Sequence, residues 1–257
     1  NAGFSGCNNS MRISNVIAIA GVRPAWADWT TGSGIQGFAA PVGVINGLQP
    51  ANGTQALRLM FGSGANNSIS NYNGSVISLN TNPVLAAGEV AIACDESLAS
   101  IFQVNEADAT SVTHGAAGLN CDANLGFMGQ DDWACGLSPA RGFSNNAMLM
   151  RFESVAWFIA PSRDDAGVMS LYRASLVGDA QVNEEVLYGV ADLQFAYLNG
   201  DTGLFQQAAA VTTAGQWGRI TAVNVSVTLD DAVLQGQNVP DNVRTITFLV
   251  SLRNRLG

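Results

Sequence analysis

Basic residues are scarce in this sequence of 257 residues, and almost all of them are of one kind. The chain has no lysine, one histidine and eleven arginines, and its net charge is −9. The arginines are spread from Arg12 to Arg255 without forming a cluster. A nucleic-acid-binding surface needs a stripe of positive charge to neutralise phosphates. The composition therefore excludes nucleic acid as an expected partner.

Long apolar runs are also missing. A membrane-spanning helix needs ~18 or more consecutive apolar residues, and the stretch SNVIAIAGV at 14–22 is too short. The chain starts at Asn1 without an initiating methionine or a signal peptide. We therefore expect a processed or trimmed fragment of a longer protein.

The single histidine limits the catalytic chemistry that the chain can perform. A Ser-His-Asp or Cys-His centre would have to use His114, which lies in the loop-like stretch SVTHGAAG without a nucleophile-elbow motif nearby. A tetrahedral zinc site needs several histidine or cysteine ligands. We expect His114 to be a surface residue and expect no zinc. Only pairs of adjacent carboxylates favour a hydrolase. A glycosidase needs two carboxyl groups that face each other, whereas adjacent residues on a strand point to opposite faces, so each pair alone is a poor candidate.

Four cysteines are present in a chain with few charged residues. This even count is typical of two disulfides formed in an oxidising compartment. We predict a Cys121–Cys135 bridge because these residues enclose a short loop, which leaves Cys7 to pair with Cys94. The alternative is that the cysteines are free buried thiols.

Alternation of apolar and polar residues dominates the second half of the chain. The stretch AMLMRFESVAWFIA at 147–160 predicts a central strand, and SLYRA at 170–174 predicts its hairpin partner. Further strands are predicted at ADLQFAYLNGD (191–201), TAVNVSVTLDD (221–231) and TITFLVSLRNRLG (245–257). Each has one apolar and one more polar face, as in an antiparallel sheet with one side exposed to water.

The first half has shorter strands separated by long loops rich in glycine and asparagine. Strands are predicted at QALRLMFG (55–62), EVAIAC (89–94) and SIFQV (100–104), and loops at 28–54, 62–82 and 105–146. Helix signals are weak: ESLAS (96–100) suggests one turn and FQQAAAVTTAGQW (205–217) suggests two. We predict one domain over 1–257, loop-rich in 1–146 and sheet-forming in 147–257.

Three stretches could bind a ligand. GSGIQG (32–37) matches a dinucleotide fingerprint, but no strand precedes it and Pro41 stops helix growth, so we interpret it as a flexible loop. NGDTG (199–203) and the stretch between Cys121 and Cys135 offer oxygen ligands for calcium, although the spacing is not that of an EF-hand. The weak calcium candidates are Asp201, Asp122, Asp131 and Asp132; no other cofactor is expected.

The order of several segments carries a resemblance to a known family. VAWFIAPSRDDAGVMSLYR (155–173) is followed by EEVLYGVADLQFAYLNGD (184–201), QWGRITAVNVSVTL (216–229) and the terminal LVSLRNRLG. In the first half, NAGFSGC (1–7), GTQALRLMFG (53–62) and CDESLASIFQV (94–104) agree more loosely. This arrangement resembles the PilW family of type IV pilus minor pilins and is similar to the GspJ-type pseudopilins of type II secretion.

The resemblance implies a fold, a role and a location. The fold would be an α+β pilin-like head, predominantly β, with antiparallel sheets, long loops and a truncated N-terminal helix. The role would be non-enzymatic: priming pilus assembly and forming the tip complex with other minor pilins and a tip adhesin. The missing helix would hold the protein in the bacterial inner membrane, with a periplasmic head, until it reaches the extracellular pilus tip.

Three questions remain open from the sequence. Arg253 and Arg255 extend the polar face of the last strand, so they are either solvated or in contact with a partner pilin. A type II secretion pseudopilin would fit the same pattern. A secreted carbohydrate-binding or adhesive module is a third possibility, because Trp26, Trp29 and Trp133 lie in loop-like stretches; tryptophans in such places more often close the ends of a β core.

Overall fold

The computed structural model describes residues 12–29, 33–83, 85–95, 98–127, 135–145, 147–230 and 244–252. This part of the chain is predominantly β, as predicted, and has one short α-helix, α1 at Ala208–Thr213. The strands of the first half are β1 Arg12–Asn15, β2 Ile35–Phe38, β3 Ala56–Asn73, β4 Val76–Leu79, β5 Val90–Cys94, β6 Leu98–Gln103, β7 Glu106–Ala107 and β8 Ser111–Thr113. Those of the second half are β9 Met148–Pro161, β10 Met169–Val177, β11 Ala180–Tyr188, β12 Val190–Asn199, β13 Leu204–Gln206, β14 Ile220–Leu229 and β15 Thr245–Ser251.

The larger sheet is built around β9, the predicted central strand. Its order is β1-β6-β5-β9-β3-β4-β8-β7, with β10 and β11 continuing beside β9 and with β2 beside β3. β9 pairs antiparallel with β3, β5 and β10, and β1 pairs parallel with β6. On one face of β9, Met150, Phe152, Ala156 and Phe158 are all buried. The predicted hairpin of β9 and β10 is therefore confirmed.

The smaller sheet has the order β13-β12-β14-β15 and packs on the face of the larger sheet to which β2, β3 and β9 contribute Ile35, Leu57 and Ile159. Phe195 and Tyr197 of β12 share a buried core with Ile35, Leu57 and Ile159 of the larger sheet. The period-2 pattern explains this contact, because every second residue of β12 and β14 is apolar and points to the same side. Helix α1 contributes Ala208 and Val211 to the same core.

The opposite face of the larger sheet is covered by segments that come before β3. Trp26 and Trp29 are buried with Met60 and Phe152, and the rings of Trp29 and Phe152 are 6.2 Å apart. Both tryptophans therefore close a β core and are not available to stack on sugars. Trp133 lies outside the described residues.

Covalent and polar links tie down the described parts of the stretch between β8 and β9. The predicted Cys121–Cys135 disulfide is confirmed, and closing such a loop stabilises a fold by about 3 kcal/mol. Cys94 is also disulfide-bonded, whereas Cys7, its predicted partner, lies outside the described residues. Arg141, which follows the loop, forms an ion pair with Asp95 at the end of β5.

Several local predictions were wrong. The loop predicted at 62–82 contains the second half of β3 and the strand β4, joined by a turn at Gly74. Polar asparagines and serines occupy the exposed positions there, so the strand carries few apolar residues. GSGIQG is not simply a loop, because Ile35–Phe38 forms β2. The helical turn at ESLAS is also wrong, because β6 begins at Leu98, whereas the helix predicted after residue 205 is confirmed as α1.

Candidate interaction surface

The last strand, β15, is the feature of the described structure best placed to bind another protein. It pairs with β14 over seven residues without an irregularity. Ile246, Phe248 and Val250 lie opposite the valines of β14 at 227, 225 and 223. On the other face the hydroxyl oxygens of Thr247 and Ser226 are 3.0 Å apart. The alternation predicted from the sequence is therefore confirmed.

The exposure of β15 differs from what its alternation predicts. Ile246 is 57% exposed, Phe248 46%, Leu249 58% and Val250 43%, so both faces of the strand meet solvent. We call these four residues the β15 surface. The core between the two sheets takes in the valines of β14 but not Ile246, Phe248 or Val250. β15 lies one strand further out, so its apolar face extends past the buried core.

This edge lacks the features that usually protect a sheet edge from pairing with other chains. Proteins protect such edges with charges, prolines, bulges or very short strands. β15 has the sequence TITFLVS, without a charge or a proline. By contrast, β11 carries Glu184 and Glu185 and has a register shift against β10, while β13 has three residues and β7 has two. Among the described strands, β15 is thus a long, uncharged and regular edge.

An apolar strip continues on the larger sheet beside the smaller one. Phe61, Val155 and Trp157 are half-buried and lie on the same face as Leu57 and Ile159, which the smaller sheet covers. The alternation of β9 indicated this second apolar face, but only the position of the smaller sheet decides which part of it stays exposed.

The predicted partner and calcium residues are only partly within the described structure. Arg253, Arg255, Asp131 and Asp132 lie outside it. Asp122 is buried, and its two carboxylate oxygens accept hydrogen bonds from the backbone N–H groups of Asn124 and Ser138, at 2.9 and 2.7 Å. Asp122 therefore links the described residues on the two sides of 128–134.

The remaining calcium candidate, Asp201, lies at the turn after β12. Its carboxylate is 3.4 Å from Nε of Arg219, and both side chains are largely exposed. Within the described residues, no three His, Cys, Asp or Glu side chains come together as a metal site.

The same part of the chain has no helix of sufficient length and apolar character to cross a membrane.

The adjacent carboxylates Glu184 and Glu185 point to opposite faces of β11, as expected of neighbours in a strand. Glu184 pairs with Arg173 at 2.5 Å. Glu185 accepts hydrogen bonds from the hydroxyl groups of Ser162 and Ser170, at 2.9 and 2.7 Å, and from the Arg163 backbone N–H. Burial raises the pKa of Glu185, but the hydrogen bonds outweigh it and lower the pKa to about 2. This carboxylate is therefore charged and structural.

His114 is buried, so the prediction of a surface histidine was wrong. It is 3% exposed and packs against the rings of Tyr72 and Phe102, with centroids 5.7 and 5.3 Å away. The hydroxyl of Tyr72 donates to the carbonyl of Gly74 and lies 3.1 Å from His114 Nε2, so Nε2–H donates to Tyr72. Burial lowers the pKa of His114 to about 4.

The low pKa of His114 predicts a loss of stability in acid. The folded state keeps His114 neutral, whereas the unfolded chain takes up a proton below its ordinary pKa of 6.5. The contribution of neutral His114 to the free energy of unfolding is fully present above that pH. It decreases as the pH falls toward about 4, and the total loss is about 3 kcal/mol. We expect His114→Gln to reduce the difference in unfolding free energy between neutral and acid pH by this amount. Urea unfolding of both proteins at several pH values measures it, and parallel pH profiles would contradict the assignment.

Comparisons with known proteins give no independent assignment of this surface. No family model, no curated protein and no solved structure matches the chain.

Proposed function

We propose that this chain is the head of a minor pilin of a type IV pilus. It is a non-enzymatic protein that helps to prime pilus assembly and joins other minor pilins and a tip adhesin at the pilus tip. Before assembly the head lies in the periplasm, held at the inner membrane by the N-terminal helix that the family resemblance implies. The proposal is motivated by the family resemblance of the segments in 155–257, which follow one another in the same order as in that family.

The observation that carries the interaction role is the β15 surface. Four apolar side chains are exposed on a regular strand without charge, and among the described strands β15 pairs only with β14. An extended segment from another pilin head can continue the sheet by hydrogen bonding to the outer edge of β15. Its apolar side chains then extend the face formed by Ile246, Phe248 and Val250. The Cys121–Cys135 disulfide is typical of proteins in an oxidising compartment such as the periplasm.

A type II secretion pseudopilin would use the same surface in a different machine, and the neighbouring genes distinguish the two. The carbohydrate-binding alternative has less support, because Trp26 and Trp29 are buried in the core. Glycan-array binding by the chain alone would favour that alternative over the pilin role.

The test is binding of this chain to the soluble heads of the other minor pilins from the same genome. We expect Phe248→Asp to weaken the complex by about tenfold or more, since a charge at the centre of an apolar interface is desolvated without a partner. Leu187→Asp is the matched control: Leu187 is 43% exposed on the edge strand β11, against 46% for Phe248. Isothermal titration calorimetry measures both affinities.

The proposal fails if no head binds, or if both variants bind as the parent chain does. Amide hydrogen exchange adds a check on the mode of binding, because strand addition protects the outward amides of β15. Replacing Arg253 and Arg255 together by alanine tests the second predicted contact. Unchanged affinity in that double variant would show that the two arginines are solvated residues.

A further inference from the structure

One hydrogen bond at the end of β15 shows which of its backbone groups face outward. Ser251 lies opposite Ala222 of β14, and the next residue, Leu252, donates its N–H to the carbonyl of Thr221 at 2.8 Å. Opposite residues of an antiparallel pair alternate between hydrogen-bonded and non-hydrogen-bonded pairs. The backbone groups at every second position therefore point to β14, at Ile246, Phe248 and Val250, and those at the positions between them point away, at Thr247, Leu249 and Ser251.

The outward backbone groups of β15 are unoccupied, unlike those of the other long edge strand, β11. Within the described part of the chain, no group forms a hydrogen bond with the outward backbone of Thr247, Leu249 or Ser251. In β11, by contrast, the Gln181 carbonyl accepts a hydrogen bond from the Asn46 side chain, and the Asn183 carbonyl accepts one from the Arg163 side chain. A strand from another molecule is therefore directed to β15.

The outer edge of β15 is symmetric about Phe248, because Thr247 and Leu249 lie on either side of it. In an antiparallel pair of two β15 strands centred on Phe248, Thr247 of each copy lies opposite Leu249 of the other. These residues turn their N–H and C=O groups toward each other, so the two pairs exchange four hydrogen bonds. All seven residues of β15 are paired in this register. Centring the pair on Thr247 or Leu249 would leave two residues of each strand unpaired.

The side chains of two β15 strands also fit each other in this register. On the apolar face, Phe248 lies opposite Phe248 of the second copy, and Ile246 lies opposite Val250. On the other face, Thr247 lies opposite Leu249. Aromatic and β-branched residues form favourable cross-strand pairs, whereas like charges placed opposite each other are destabilising. Because β15 has no charged residue, self-pairing brings no like charges together, although each chain has a net charge of −9.

We propose that β15 pairs with β15 of a second copy of this chain, across a two-fold axis at Phe248. Two-fold dimers are the commonest homo-oligomers and use the same surface of both copies. The two smaller sheets then form one sheet that ends on both sides at β13, which has only three residues, so the assembly closes as a dimer. The dimer does not rest on the proposed function. In a pilin head it would keep this edge covered until another head displaces the second copy.

Sedimentation velocity of the whole chain tests the dimer. The β15 surface and the edge backbone of two copies bury at most about 1,000 Å² in total, so we expect a dissociation constant on the order of 100 μM. The average mass should rise from that of one chain toward that of two as the concentration passes through this value. Phe248→Lys and Phe248→Asp should each stay monomeric, because like charges then lie opposite each other. An equimolar mixture of the two variants should recover the dimer, because lysine then faces aspartate.

The matched control is Leu187→Lys on the edge strand β11, where Leu187 is 43% exposed against 46% for Phe248; this variant should keep the dimer. The proposal is overturned if the parent chain stays monomeric, if the mixture stays monomeric, or if Leu187→Lys abolishes the dimer equally.

Should the variants at Phe248 fail to fold, amide hydrogen exchange of the parent chain gives a second test. Exchange at the N–H groups of Thr247 and Leu249 should slow severalfold as the concentration rises through the dissociation constant. Exchange at Phe248 should change less, because its N–H is already bonded to β14. Equal rates at Thr247 at low and high concentration refute the pairing. All these measurements use this chain alone, so their outcome is separate from that of binding to other pilin heads.

Discussion

Gly37→Ala should destabilise the protein by about 3 kcal/mol and lower its Tm by roughly 10 °C. Gly37 lies in β2, at the contact between the two sheets. A β-carbon there would overlap the hydroxyl of Tyr197 and lie 2.8 Å from Cη2 of Trp217. Tyr197 is fully buried, and the two rings pack edge to face with centroids 4.9 Å apart. Neither ring has room to move, so the added methyl group must push the sheets apart.

Gly43→Ala is the matched control for this prediction. No atom lies within 4 Å of a β-carbon at Gly43, so the substitution should leave the unfolding free energy within about 0.5 kcal/mol. Thermal unfolding followed by circular dichroism compares the three proteins. If Gly37→Ala unfolds at the same temperature as Gly43→Ala, the two sheets do not pack through Gly37 as described.

Asp95→Asn should cost about 3 kcal/mol, because it leaves the buried guanidinium of Arg141 without its counter-charge. The side chains of Arg141 and Asp95 are 9% and 12% exposed, and Arg141 also lies over the ring of Phe143 at 4.7 Å. Asparagine keeps an acceptor for the Leu98 backbone N–H, which Asp95 Oδ1 accepts at 3.2 Å. The expected loss of stability therefore comes from the missing negative charge and not from a broken hydrogen bond to Leu98.

The control for Asp95→Asn is Glu184→Gln, which breaks an exposed ion pair. Glu184 and Arg173 are 55% and 43% exposed, and such surface pairs contribute about 0–1 kcal/mol. Urea unfolding in low salt and in high salt distinguishes them, because salt screens the exposed pair and hardly affects the buried one. Equal losses of stability in both variants would contradict a structural role for the Arg141–Asp95 pair.

Much of the strand pattern could be predicted because alternation is a local property of the sequence. Strands β9, β12, β14 and β15 each place apolar residues at every second position, and all four were predicted near their observed bounds. β11 was missed because its sequence, AQVNEEVLY, has solvent on both faces and so lacks a consistent apolar side. The second half of β3 was missed because polar residues fill its exposed positions.

The candidate surface could be predicted only in part. The sequence indicated that Phe248 and Val250 share a face with Ile246, and it also indicated the Cys121–Cys135 disulfide. It did not indicate that this apolar face is exposed, because the same pattern describes a strand with an apolar face in the core. Arg58 gave one local signal, a charge within the apolar run QALRLMF, but nothing in the sequence shows that its guanidinium is buried over the ring of Phe38.

By itself the sequence determined the β class, the faces of the main strands and one disulfide, since each depends on short-range spacing. Only the tertiary structure decided burial: His114 is enclosed by the rings of Tyr72 and Phe102, while the apolar face of β15 stays in solvent. The physical reason is that burial depends on which distant segments pack together. The core between the two sheets contains Ile35, Leu57 and Ile159 together with the valines of β14, but it does not extend to β15. No local pattern in the sequence shows where that core ends.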